Sequence, residues 1–329
     1  MAGDGKTRAY RSRSLDAGVN KLLELIRRRA GGMKLFGLAP PRHDAPAERL
    51  AEIGARHRAR LSGLPLDGVV VYDLQDEPGR TGQARPFPFL PTLDPAAWSD
   101  AELAPLGVPR IVYRSVNGLT ADGLRSWLVS RREARGGSLA VLVGAPSSAA
   151  RVGGLSLHEA YQLAQCDAPD VLVGGIAIAE RHARRLDEHE RLAQKVAQGC
   201  RFFITQAVYD PSTTRSLLSD YALRMTRDST PPPPMILTFS PCGSIRTLEF
   251  MQWLGVSFPR WVENELRHSA DFLSRSVKLC EETLADVQHF AAEKGIPLGI
   301  NVESVSVRRE ELDAAVDLFH RLAKMLESR

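Results

Sequence analysis

Residues 201–210 read RFFITQAVYD, an apolar run that contains one amide side chain, Gln206. A strand that is buried on both faces shows a nearly continuous apolar run rather than an alternation of polar and apolar residues. This stretch therefore predicts a strand in a parallel sheet. Seven further runs of the same kind are MKLFGLAPP (33–41), DGVVVYDL (67–74), RIVYRSV (110–116), SLAVLVG (138–144), DVLVGGIAI (170–178), MILTFSP (235–241) and PLGINVES (297–304).

Amphipathic stretches that predict helices separate most of these runs. They span 15–29, 47–61, 120–135, 186–198, 211–221, 245–254, 262–294 and 310–326. Eight buried strands alternating with helices predict an α/β fold, a (β/α)8 TIM barrel over residues 33–329, preceded by a basic arm and helix at 1–32. The alternative is an open doubly wound sheet, but the chain has neither a GxGxxG turn nor a GxxxxGK[ST] loop to favour it.

The charge of the chain is concentrated at its start. The 329 residues carry 43 Lys and Arg against 39 Asp and Glu, a formal net charge of +4. Residues 1–30 are net +5, which leaves −1 for the remainder. A body without a positive field does not attract a polyanion, so no nucleic-acid partner is predicted.

The cysteines indicate neither a disulfide framework nor a metal site. Cys166, Cys200, Cys242 and Cys280 are widely spaced, with no CxxC pair and no Cys/His cluster at zinc spacing. No run reaches the length of about 18 apolar residues that a membrane span needs, and the start of the chain does not resemble a signal peptide. These features predict a cytoplasmic protein with reduced thiols, no metal and no membrane partner.

Function in a TIM barrel is expected at the carboxyl ends of the strands, where the connecting loops meet. Gln206 lies among apolar neighbours, and a buried amide needs partners for its donors and its acceptor. Gln206 is then either a satisfied core residue or a donor–acceptor pair for the edge of a planar heterocycle such as a pterin or a flavin. His182 and His189, after the fifth strand, are interpreted as a charged solvent face, with phosphate contact as the alternative.

At the sixth strand the chain resembles a known family. Residues 188–210, EHERLAQKVAQGCRFFITQAVYD, resemble the methylenetetrahydrofolate reductase family, in which a helix LxxKVxAGA leads into a strand ITQxFFD. APPR at 39–42 is similar to the family's FFPPR, and GIAIAERHA at 175–183 is similar to AYPExHPEA. Residues 239–261 share a proline after the seventh strand, a short helix, a GV turn and a Pro-x-Trp.

The resemblance implies a TIM barrel that reduces 5,10-methylenetetrahydrofolate to 5-methyltetrahydrofolate with NADH or NADPH by way of FAD. It implies that Gln206 contacts the folate, that Tyr113 takes the place of a strand-three His, and that Tyr209 belongs to the same substrate site. Lys195 corresponds to a lysine near the flavin diphosphate and Glu188 to an acidic residue before it. Arg191 and Arg181 are further candidates for the flavin diphosphate.

The chain departs from this family at the positions that carry its chemistry. The family's strand-one Glu, the general acid, falls at Gly37, and its strand-four Asp falls at Ala145. General acids contribute about 10²–10⁴ in rate, so a replacement is expected at the rim of the barrel. The candidates are Asp73, Asp76, Glu180 and Glu303.

Three functions follow from the retained and the missing residues. The first is a flavin-dependent reductase of methylenetetrahydrofolate. The second is a flavin-independent folate enzyme that transfers the one-carbon unit to another acceptor, and the third is a non-catalytic folate-binding barrel. The long helix 262–294 and the last helix are candidates for pairing in a homo-oligomer.

Overall fold

The protein folds as a closed barrel of eight parallel strands, in a computed structural model that describes residues 21–76, 85–134, 136–145 and 153–327. Each strand pairs with the next along the chain, and β8 pairs with β1 to close the barrel. The strands are Lys34–Leu38 (β1), Gly68–Val71 (β2), Arg110–Ser115 (β3), Leu139–Val143 (β4), Leu172–Ala177 (β5), Phe203–Ala207 (β6), Met235–Phe239 (β7) and Leu298–Val302 (β8). The predicted (β/α)8 TIM barrel is confirmed.

Helices surround the barrel and connect its strands. They are 21–27 (α1), Ala47–Leu61 (α2), Pro95–Glu102 (α3), Ala121–Glu133 (α4), Leu157–Asp167 (α5), Ala179–Arg185 (α6), Glu188–Ala197 (α7), Pro211–Arg227 (α8), Ile245–Trp253 (α9), Arg260–Arg267 (α10), Phe272–Glu293 (α11) and Arg309–Glu327 (α12), with a 3-10 turn at Ala104–Leu106. No helix of these described segments is long and apolar enough to cross a membrane.

Alternation along each strand divides the core into two layers. Ile204 faces the barrel interior with Ile236 and Val70, while Phe203 and Leu237 pack outward against the helices. Successive side chains of a strand point to opposite faces, and both faces are covered here, which explains why the strands are apolar throughout.

The described part of the N-terminal segment packs onto the barrel. Leu22 and Ile26 of α1 are fully buried and belong to the interior cluster, and Lys21 forms an ion pair with Asp67 just before β2 at 2.5 Å. At Gly68 an added Cβ would lie 2.8 Å from the Leu22 side chain. The helix therefore covers the amino-terminal end of the barrel. The remainder of the predicted arm, 1–20, lies outside the described residues.

The observed helices differ from the predicted ones at several places. The predicted helix 262–294 is two helices, α10 and α11, because Asp271 caps a new start by accepting the Ser274 backbone N–H at 3.0 Å. The stretch 186–198 contains only α7, since Leu186 adopts a left-handed φ of 53° and ends α6. The helices α3, α5 and α6 were not predicted. Pairing of α11 and α12 with a second subunit stays a prediction.

Candidate functional site

The carboxyl ends of the strands form a mouth lined by polar and aromatic side chains. Tyr72 follows β2 and Tyr113 lies on β3, and their rings meet edge to face with centroids 4.9 Å apart. Gln206 lies on the inward face of β6, two positions after the interior residue Ile204. Asn301 lies on the inward face of β8, two positions after the inward Gly299. The side chains come from four different strands, so only barrel closure brings them together.

An irregularity in β6 lies at Gln206. The register between β6 and β7 shifts between Ile204 and Ala207, and Thr205 Oγ1 accepts the Thr238 backbone N–H at 2.9 Å. Such irregularities are common next to active sites, because they change the direction of a side chain. Gln206 Nε2 donates to the Leu254 carbonyl at 2.6 Å, which holds the amide in one orientation. The second N–H and the carbonyl oxygen have no protein partner among the described residues.

Glu303 directly follows β8, on the inward face, and lies next to Tyr72 above Gly37. Desolvation raises the pKa of the Glu303 carboxyl to about 7, and the nearby Tyr72 hydroxyl opposes that rise. Part of the Glu303 residue remains exposed to solvent. It is therefore a carboxyl that exchanges its proton near neutral pH and still has access to the mouth.

Gly37 of β1 makes room for this pair. A Cβ added at Gly37 would lie 2.8 Å from Tyr72 Oη and 3.1 Å from Glu303 Cβ. In the methylenetetrahydrofolate reductase family, which the chain resembles, a glutamate stands at the position of Gly37. Here Tyr72 and Glu303, which follows the adjacent strand β8, fill the space above this glycine.

Asn301 of β8 hydrogen-bonds with Tyr72 and with Thr238 of β7. Its Nδ2 donates to Tyr72 Oη at 2.8 Å and to Thr238 Oγ1 at 3.2 Å. Its Oδ1 is buried and accepts no hydrogen bond from the described residues, although buried polar atoms nearly always have a partner. The Tyr72 hydroxyl accepts from Asn301, and burial with the nearby Glu303 charge raises the pKa of Tyr72 well above 10, so the hydroxyl keeps its proton.

The other acid candidates take different positions. Asp73 accepts the Ser115 backbone N–H at 2.8 Å and the Gln75 amide at 2.6 Å, and burial raises its pKa. Asp76 is exposed and lies 3.8 Å from Arg85. The hydrogen bond from the Ser115 backbone N–H to Asp73 connects the loop after β2 to the end of β3.

Glu180 lies on the β5–β6 side of the mouth. It accepts the Ser257 backbone N–H at 3.1 Å, and burial raises its pKa. A small cleft beside β6 is lined by Glu180, Gln206 and Asp210 together. A second carboxyl therefore lies near the amide, but it is held by a loop rather than by a strand of the barrel.

Tyr209 lies away from the mouth. Its ring is buried in the outer core and stacks on Phe258 with centroids 4.4 Å apart, and its hydroxyl donates to the Ser240 carbonyl at 2.7 Å. The side chain is therefore used for packing and does not face the inward residues that surround Gln206.

The four residues predicted to bind a flavin are engaged with one another, with the backbone or with Asp187. Glu188 is fully buried and accepts from Arg181 at 2.8 Å and from the Ile178 backbone N–H at 3.1 Å. Lys195 Nζ donates to the Ile176 carbonyl at 2.7 Å, and burial lowers its pKa. Arg191 pairs with Asp187 at 3.5 Å.

This arrangement does not fit an FAD diphosphate. A diphosphate needs cations or backbone N–H groups that are free to meet its oxygens. Within the described segments, each of these three cations already has an acceptor, and Glu188 places a negative charge between them. We therefore derive no step through a flavin.

Tyr72 and Asn301 follow from the sequence as strand-end residues, but no role in the site was predicted for either. Both stand at the ends of predicted strands, and period-two alternation would have placed them on the inward face. The sequence placed Gly37 in the first strand, but nothing in it indicated that Tyr72 and Glu303 would fill the space above that glycine.

Comparisons with known proteins place the chain among relatives. An uncharacterized protein from Clostridium thermocellum, described as binding two copies of 5-methyl-5,6,7,8-tetrahydrofolic acid, is 39% identical to it, with a TM-score of 0.79. The match covers 92% of this chain and 99% of that chain. The chain belongs to the family of this Clostridium thermocellum protein.

More distant matches add nothing to this assignment. A dihydropteroate synthase from Xanthomonas albilineans is 12% identical at a TM-score of 0.41, over 92% of this chain and 94% of that chain, which is too low for a functional comparison. No protein-family model and no curated protein matches the chain.

Proposed function

We propose that the mouth of the barrel binds a reduced folate and that the protein converts 5,10-methylenetetrahydrofolate to 5-methyltetrahydrofolate, with Glu303 as the general acid. The observation that carries this proposal is the Glu303–Tyr72 pair, which occupies the space above Gly37. It agrees with the 5-methyltetrahydrofolate bound by a relative that is 39% identical.

The binding part of the proposal rests on the inward amides. Gln206 offers its free carbonyl oxygen and one N–H to the edge of the pterin, since its Nε2 is already oriented by Leu254. The aromatic rings of Tyr72 and Tyr113 provide an apolar wall for a flat bicyclic ring. Folate is thus bound by a few oriented polar groups in a largely apolar mouth, as small-molecule sites commonly are.

The chemical part needs one proton and one hydride. Protonated Glu303 gives its proton to N10 as the bond between N10 and the methylene carbon breaks, which leaves an iminium at N5. A hydride from a reduced nicotinamide then adds to that carbon and forms the methyl group. Tyr72 and Asn301 hold the carboxyl in place, and Tyr72 stabilises the carboxylate that remains.

A second candidate is a folate-binding protein without turnover. It is favoured by the lack of a free cation for a flavin diphosphate among Lys195, Arg181 and Arg191. It keeps the same binding mouth and differs only in what Glu303 does there.

The test is a binding and turnover assay on the purified full-length chain. We expect saturable binding of 5-methyltetrahydrofolate, and formation of it from methylenetetrahydrofolate with NADH or NADPH. Parallel reactions with and without added FAD, with an absorbance spectrum of the protein, identify the hydride source. Binding without turnover under every reductant supports the second candidate. Absence of folate binding contradicts both.

A further inference from the structure

A cluster of possible metal ligands lies outside the barrel mouth, where three helices meet. His182 of α6, His189 of α7 and Asp220 of α8 each place one ligand atom so that all three atoms lie within 4.8 Å of one another. None of the three takes part in the folate site proposed above. Imidazole and carboxylate are the usual nitrogen and oxygen ligands of zinc and related divalent ions.

The fold holds these side chains together firmly. His182 is 1% exposed, and its Nε2 lies 3.0 Å from Asp220 Oδ2. The left-handed Leu186 reverses the chain between α6 and α7 and returns His189 to His182, with ring centroids 5.3 Å apart at 88°. Both α6 and α7 pack directly on α8, which carries Asp220.

The hydrogen bonding of the cluster is incomplete. Nδ1 of His182 and Nδ1 of His189 are buried and have no hydrogen-bond partner within the described part of the chain. Asp187 lies two residues before His189, and its buried Oδ1 likewise accepts no hydrogen bond from the described residues. Unpartnered buried polar atoms are rare in native proteins, and several at one place point to a missing ligand.

The surrounding charges favour a cation. Glu190 lies 3.5 Å from His189 Nε2, which adds a second carboxylate next to the cluster, although Arg224 pairs with Glu190 at 2.9 Å. Asp220 is 44% exposed, so an ion can reach the cluster from solvent and keep a water as a further ligand.

We propose that His182, His189 and Asp220 bind one divalent first-row transition metal ion, with zinc as the best-suited ion. Ligand atoms in a tetrahedral zinc site are about 3.4 Å apart, as the usual zinc–ligand bonds require. The helices therefore close slightly on the ion. Such an ion links α6 and α7 to α8. It thereby stabilises the position of α6, which includes Glu180. Sequence spacing gives no indication of it, because the ligands come from three separate helices.

The test uses the full-length chain after treatment with EDTA and buffer exchange. Titration with ZnCl2 alone, followed by calorimetry, should give about one ion per chain, as for a single three-ligand site. Zinc should also raise the thermal midpoint of unfolding. His189→Ala and Asp220→Asn change partly exposed side chains and are expected to fold, which circular dichroism checks. Each should weaken zinc binding by at least about tenfold and remove the thermal shift.

The matched control is His289→Ala. His289 is an exposed histidine on α11 that pairs with Glu293 at 3.3 Å and does not belong to the cluster of His182, His189 and Asp220. We expect this variant to bind zinc as the unchanged chain does. Failure of the unchanged chain to bind zinc stoichiometrically, or equal affinity in all variants, overturns the proposal. Folate binding is measured separately and does not enter this test.

Discussion

Glu303 is the side chain whose replacement tests the proposed chemistry most directly. Glu303→Gln keeps the size and the hydrogen-bonding capacity of the side chain but cannot give up a proton. We expect folate affinity to change by no more than a few fold and turnover to fall by about 10²–10⁴. Initial rates of 5-methyltetrahydrofolate formation and a binding titration measure the two effects. Asp76→Asn, at an exposed carboxyl, is the control and should leave both unchanged.

The same carboxyl predicts a pH dependence. With a pKa of about 7, Glu303 is protonated and able to act as an acid below that pH, so the rate should fall as the pH rises through about 7.

The raised pKa of Glu303 also affects stability, because the native chain binds this proton more tightly than an unfolded carboxyl of ordinary pKa 4.5 does. The free energy of unfolding that Glu303 contributes is therefore lost as the pH rises between these two values. An unchanged alkaline limb in Glu303→Gln would contradict the assignment.

Gln206 tests the binding part of the proposal at the same scale. Gln206→Ala removes the amide that is oriented by Leu254, and leaves the polar edge of a bound pterin without its partner. We expect folate binding to weaken by about 1–3 kcal/mol, the usual cost of an unpaired buried polar group. Gln194→Ala, at an exposed position on α7, is the matched control. Equal affinities of the two variants would remove Gln206 from the site.

At the scale of elements, β1 and β8 adjoin and share the space above Gly37. An alanine Cβ at this position would lie 2.8 Å from Tyr72 Oη and 2.9 Å from Tyr72 Cε2, closer than packed atoms normally approach. Gly37→Ala should therefore displace Tyr72, separate it from Glu303, and lower the free energy of unfolding by about 1–3 kcal/mol. Turnover should fall with it.

The control for this substitution is another glycine at a strand end. An added Cβ at Gly144, directly after β4, would have Leu157 Cβ as its nearest neighbour at 3.7 Å, which is an ordinary contact. Gly144→Ala should therefore leave thermal stability nearly unchanged. If Gly37→Ala proves as stable and as active as Gly144→Ala, Tyr72 does not need the space above β1.

At the scale of the whole molecule, α1 covers the amino-terminal end of the barrel while the mouth lies at the other end. Leu22 is fully buried within the interior cluster, so Leu22→Ala leaves a cavity there. We expect a loss of about 2–5 kcal/mol in the free energy of unfolding, measured by denaturant titration, without a change in folate affinity of the folded protein. Leu223→Ala, at a side chain that is 66% exposed, should cost far less.

Local patterns in the chain were enough to predict the architecture. Buried strands need continuous apolar runs and helices need apolar faces, and both depend on residues close together in sequence. The alternation of the two, eight times over, predicted the barrel. Because parallel strands of a barrel end at one rim, it also predicted that Gln206 and Glu303 lie at the same end. Helix boundaries were predicted less well, since Asp271 and Leu186 end helices through capping and a left-handed residue.

Contacts between distant parts of the chain depended on the closed structure. β1 and β8 are neighbours only because the barrel closes, and this closure brings Glu303 and Tyr72 together above Gly37. Pairing of Arg181 with the buried Glu188, and of His182 with Asp220, likewise depends on how helices pack. Composition and periodicity report on burial along one element, whereas the partner of a charged or polar side chain is set by register and rotamers across elements that lie far apart in the sequence.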